Sequence, residues 1–103
     1  MNDWHEPTPG DLVEVGKREF VTGLDGIAYP RPTVVATGID HSNKLEDGKT
    51  TGVVMIWEPM MGIITEVIPD KSRHCRVMLN EPYPSSYEGP RMIVVYVNQI
   101  RFV

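Results

Sequence analysis

Met61-Gly62-Ile63-Ile64-Thr65-Glu66-Val67-Ile68 decides the fold of this chain. The run is apolar and rich in β-branched residues, and Pro69-Asp70-Lys71-Ser72 closes it with turn-forming types, so it predicts a strand followed by a turn. His74-Cys75-Arg76-Val77-Met78-Leu79 returns as a second strand, with Cys75, Val77 and Leu79 sharing one face because successive side chains point to opposite sides. After a Pro/Tyr/Ser loop comes Met92-Ile93-Val94-Val95-Tyr96-Val97, then a one-turn break at Asn98-Gln99 and a terminal Ile100-Arg101-Phe102-Val103. Short strands joined by turns predict an all-β domain, a small closed or half-closed barrel. Such a scaffold carries no chemistry of its own.

Composition agrees. The 103 residues make one domain, with 41% hydrophobic and 23% charged residues, as in ordinary globular proteins. Nine glycines and nine prolines call for many turns and favour β over helical architecture. No segment shows a sustained 3.6-residue apolar period, and no apolar run approaches the ~20 residues that cross a bilayer. The polar, acidic start, Met1-Asn2-Asp3-Trp4-His5-Glu6-Pro7, does not resemble a signal peptide, so a cytoplasmic origin is expected.

Working outward from the decisive strand, residues 1–10 read as an N-terminal arm ending in Thr8-Pro9-Gly10. Asp11-Leu12-Val13-Glu14-Val15 alternates as a first strand anchored by Leu12 and Val15, and Arg18-Glu19-Phe20-Val21-Thr22 continues it or pairs with it. Residues 23–32 hold two glycines and two prolines without any period and read as a long loop. Thr33-Val34-Val35-Ala36-Thr37-Gly38-Ile39 and Gly52-Val53-Val54-Met55-Ile56-Trp57 form a second hairpin. Between them a polar tongue over residues 40–51, with Leu45 as its apolar residue and Asp47-Gly48 as its turn dipeptide, is longer than a tight hairpin needs.

Pro9-Gly10-Asp11-Leu12-Val13-Glu14-Val15 followed by Gly62-Ile63-Ile64-Thr65-Glu66-Val67 resembles the openings of small SH3-like β-barrels. In that comparison residues 75–79 are the third strand, residues 93–97 the fourth, Val97-Asn98-Gln99-Ile100 the one-turn 3₁₀ helix, and Arg101-Phe102-Val103 the closing strand. Chains with this pattern are common among small proteins of tailed bacteriophages. The resemblance implies an SH3-like barrel with an inserted β-hairpin and long loops, and a place in a virion assembled in the host cytoplasm. Residues 16–60 far exceed the usual first loop. The extra hairpin either decorates a standard barrel or belongs to another barrel or sandwich.

Chemical motifs are sparse. There is no Gly-x-Ser-x-Gly, no phosphate-cradling glycine loop and no paired-histidine metal motif, so no catalytic residue, metal ligand or cofactor is expected. His5, His41 and His74 are scattered, and Asp40-His41 has no third partner at informative spacing. The lone Cys75 excludes an internal disulfide and reads as a small buried apolar residue. A catalytic pair with His74 is geometrically poor, because successive strand residues face opposite sides. The net charge of −4 opposes nonspecific nucleic-acid binding. The Lys71, Arg73 and Arg76 cluster is a solvated hairpin tip or, in the alternative, a phosphate contact.

The candidate interface residues are apolar. Trp57 is expected in the core, with Met60 and Met61 forming a pliable apolar edge beside it. The loop over residues 80–90 combines three prolines with Tyr83 and Tyr87. Its tyrosines either pack back on the barrel or anchor an interface. Trp4 in the terminal arm is expected to dock on its own domain or on a neighbouring subunit.

Three functions follow as expectations. The first is a structural protein of a tailed-phage particle, a capsid decoration, neck or tail component touching other protein subunits or copies of itself. The second is a nucleic-acid module like the KOW-type members of the SH3-like group, with Tyr83 or Tyr87 stacking on bases. The third is an adaptor for Pro-rich peptides, which the low aromatic content of 8% disfavours. An enzyme ranks below all three.

Overall fold

The computed structural model describes residues 6–40, 49–68 and 73–103. In chain order the strands are β1 (Leu12–Val15), β2 (Glu19–Thr22), β3 (Ala28–Arg31), β4 (Thr33–Val35), β5 (Gly38–Asp40), β6 (Lys49–Thr51), β7 (Val54–Ile56), β8 (Met60–Val67), β9 (His74–Leu79), β10 (Met92–Tyr96) and β11 (Ile100–Phe102), with a 3₁₀ turn at Val97–Gln99 before the last. The all-β expectation holds. A five-stranded antiparallel sheet runs β10-β9-β8-β1-β11, and the other strands pair off as the ribbons β2–β3, β4–β7 and β5–β6. Among the described residues no ladder joins the sheet edges β10 and β11, so the sheet is open in its hydrogen bonding.

β8 is the longest strand because it serves two ladders. Met60–Ile63 pairs with β1 and Gly62–Val67 with β9. Met60, Gly62 and Ile64 face inward, and simple alternation would next turn Glu66 into the core. A bulge between Ile64 and Glu66 prevents this. Thr65 is the extra residue, and its hydroxyl donates to the Arg76 carbonyl at 3.2 Å, satisfying a group that the irregular ladder would leave unpaired. Beyond the bulge Val67 packs on the core and Glu66 turns outward to Arg76 at 3.3 Å.

The core gathers Val13, Val15, Ile64, Val77, Ile93 and Val95 from the sheet, and Val35 and Ile56 from the β4–β7 ribbon. Val15 anchors β1 as expected, together with Val13 and not Leu12, because alternation puts Leu12 and Val15 on opposite faces of the strand. The ribbon is tied to the free edge of β10 by reciprocal Ala36–Val94 backbone bonds of 3.1 and 2.8 Å. Those bonds interrupt the second hairpin at Ala36, so it forms as β4–β7 and β5–β6 in succession. Ile56 is the fully buried residue of its strand, and Trp57, expected in the core, is 37% exposed because it follows an inward-facing position.

The loop expected over residues 23–32 shrinks to a turn, since residues 28–31 form β3; and β2, expected to continue or pair with the first strand, pairs with β3 instead, Phe20 opposite Pro30 and Val21 opposite Tyr29. Proline has no N–H to donate, so the ladder bonds come from the neighbouring positions and the Pro30 nitrogen faces the open edge. Residues 41–48 with Leu45, the terminal residues with Trp4, and the turn with Lys71 lie outside the described residues.

Gly62 is opposite Val13 on one flank and Leu79 on the other. A Cβ there would lie 2.6 Å from Val77 Cγ1 and 2.9 Å from the Met78 carbonyl oxygen. Gly62→Ala is therefore expected to lower stability by about 1–3 kcal/mol through overpacking. Urea unfolding checks it: the midpoint should fall with the slope unchanged, and an unshifted midpoint would show that the ladders relax freely.

Candidate functional site

The expected contact residues divide between core and surface. Met60 is 3% and Tyr87 8% exposed, so both are core residues of this chain and neither offers a free surface. Met60 is inward by the phase of β8. Tyr87 closes the loop over residues 80–90: its amide donates to the Pro84 carbonyl at 3.0 Å and its hydroxyl to the Pro90 carbonyl. Burial, with a smaller contribution from Tyr83, pushes the Tyr87 phenol pKa up. Tyr83 packs edge-on against it, ring centres 5.7 Å apart, and is half-buried on the core. Met61, on the opposite face of β8 from Met60, is also half-buried.

The basic cluster is countered where it stands. Arg76 faces Glu66 at 3.3 Å and Arg73 faces Glu6 at 3.9 Å. Such exposed pairs contribute about 0–1 kcal/mol each, yet they place a carboxylate where a phosphate would have to sit. Cys75 is fully buried, and burial raises its thiol pKa against the opposing charge of Arg73, which disfavours the nucleophilic thiolate. His74 lies on the other face of β9, buried, with its ring 4.3 Å from that of Tyr96. Among the described residues no group of three or more His, Cys, Asp or Glu comes together that could hold a metal ion, and no helix is long and apolar enough to cross a membrane.

Among the described residues the strongest surface feature is the β2–β3 arm, whose second strand sequence reading placed in a loop. Every residue of both strands is exposed, including Phe20, Val21 and Tyr29, and Leu24 at the tip is exposed completely. A lone two-stranded ribbon is marginal in water. This one is organised at its tip by Asp25, whose carboxylate accepts the Ile27 amide at 2.9 Å and the Tyr29 hydroxyl at 2.5 Å. Gly23 and Ile27 close the tip through an N–H···O bond of 2.9 Å, and Gly26 takes φ +80°, a value that glycine adopts without strain. Asp25-Gly26 between Phe20-Val21-Thr22 and Ile27-Ala28-Tyr29 was the available signal; Pro30 and Pro32 obscured it.

A second apolar surface lies on the outer side of the β4–β7 ribbon. Val34 and Met55 stand directly opposite each other there, both exposed, near Val53 and Tyr96. Val34, Val53, Val94, Tyr96 and His74 line an adjoining hollow of about 210 Å³. Ordered apolar surfaces of this kind mark contact sites for other macromolecules.

Asp25 titrates below its ordinary 3.8, first because of the Tyr29 hydroxyl and then because of the Ile27 amide. With a depressed folded pKa, the clamp contributes above pH 3.8 and is lost as pH falls through the folded value. Tyr29→Phe should move the Asp25 midpoint up toward 3.8, read by NMR titration of the Asp25 carboxyl and the Ile27 amide. An unmoved midpoint would show that the hydroxyl does not hold the carboxylate.

Compared with known proteins, the chain stands apart: no family model, no curated protein and no solved structure matches it.

Proposed function

We propose that this chain is a non-enzymatic assembly protein on an SH3-like scaffold, a structural component of a tailed-phage particle that works by burying surface against other protein subunits. The order β10-β9-β8-β1-β11, with a 3₁₀ turn between β10 and β11, supports the SH3-like reading. The segment from β2 to β7 is then an elaboration between the first two barrel strands. The phage setting rests on the sequence resemblance.

The observation that carries the assembly reading is the arm. Phe20, Leu24, Ile27 and Tyr29 are exposed on an ordered ribbon whose apolar side chains contribute little until a partner covers them. Side chains of this kind are worth about 1–3 kcal/mol each when they become anchors, and an arm ordered in advance loses less entropy on docking. The groups that could have supported chemistry are engaged in structure: Cys75 in the core, Arg73 and Arg76 beside carboxylates. Those pairings and the net charge of −4 speak against a nucleic-acid module.

Affinity capture with the capsid, neck and tail proteins encoded beside this chain tests the proposal. One of them should be retained by the wild type and held at least about tenfold less by Phe20→Asp. If none is retained, or if the arm variant captures its partner as well as the wild type does, the assembly reading through the arm is wrong.

A further inference from the structure

The arm and the outer face of the β4–β7 ribbon are complementary in chemistry and belong to the same chain. At the arm tip Leu24 is fully exposed and Ile27 mostly so. Where the ribbon meets β10, Val34 and Val53 with Val94 and Tyr96 of β10 border a hollow of about 210 Å³, with room for a leucine or isoleucine side chain. At the tip, the Asp25 carboxylate keeps its charge and is held by the Tyr29 hydroxyl and the Ile27 amide of its own arm. The arm does not fold back onto this hollow, since all of its strand residues stay exposed.

Area decides what covers the two surfaces. A half-exposed side chain of this size offers roughly 80 Å², so the five on the arm present about 400 Å² and the four beside the ribbon (Val34, Val53, Met55 and Tyr96) about 300 Å², each no more than a monomer commonly leaves open. Together they present about 700 Å², within the share each partner contributes to a stable interface. A second copy supplies both complements at once if each arm lies on the other's ribbon.

Resting on the assembly reading above, we infer that this chain forms a two-fold dimer by reciprocal arm exchange, Leu24 of each copy entering the hollow beside Val53 and Tyr96 of the other and Ile27 lying at its rim. The exchange is isologous, so it closes on itself and does not propagate.

Sedimentation and light scattering of the full chain test it. The wild type should run at twice the chain mass. Leu24→Asp on the arm and Val53→Asp on the ribbon should each weaken dimerisation at least about tenfold. Both side chains are exposed and outside the core, so far-UV circular dichroism should not change. A wild-type monomer, or a dimer that survives either substitution, overturns the exchange. A wild-type monomer that still retains a virion protein would sink the exchange alone and leave the assembly reading standing.

Discussion

The whole domain depends on one strand being hydrogen-bonded along both flanks. β8 carries β1 on one side and β9 on the other, and the two ladders overlap at Gly62 and Ile63. Where they overlap the backbones crowd, and a residue without a Cβ fits between Val77 and the Met78 carbonyl. Just beyond, the Thr65 bulge shifts the strand by one position, so apolar side chains face the core before and after it. Crowding at one point and a phase change three residues later keep an eight-residue strand useful to a core that curves around it.

That frame also fixes where the contact surfaces emerge. The segment from β2 to β7 leaves the sheet after β1 and returns before β8, and it is pinned at its base around Gln99. The Gln99 backbone carbonyl accepts the Gly16 amide at 3.1 Å, while its side chain donates to the Val34 carbonyl at 2.8 Å. Lys17 adds a bond from its amide to the Thr33 hydroxyl at 3.2 Å. The 3₁₀ turn thus joins the start of the excursion, its ribbon and the last strand. The arm departs from a fixed base, and a contact at its tip acts on a defined geometry.

Charge plays a local part. Carboxylates sit beside guanidinium groups at Glu58–Arg18, Glu66–Arg76 and Glu14–Arg101, pairs that are individually weak at exposed positions. Glu58 also accepts the Ser86 hydroxyl at 3.0 Å, linking the tyrosine loop to Arg18 near the base of the arm. With the arginines so partnered, the large unsatisfied surface is apolar, which is why the functional reading turns on burial.

What the sequence by itself determined was the conventional half of the molecule. Residues 60–67, 74–79 and 92–102 are strands with the alternation and the one-turn break that their side-chain pattern announces, because burial against a core leaves a period-2 record. The burial of Cys75 was legible for the same reason. Residues exposed on both faces leave no such record, so β2 was legible as a strand but β3 and its pairing were not, and Pro30 resembled a loop residue when it marks an open strand edge. Only the tertiary structure decided that Met60 and Tyr87 are core, that Leu12 and Trp57 are not, and that the apolar surface lies on the arm and the ribbon. Those outcomes turn on strand phase and on pairing between distant segments, and a single residue of register exchanges the buried face for the exposed one.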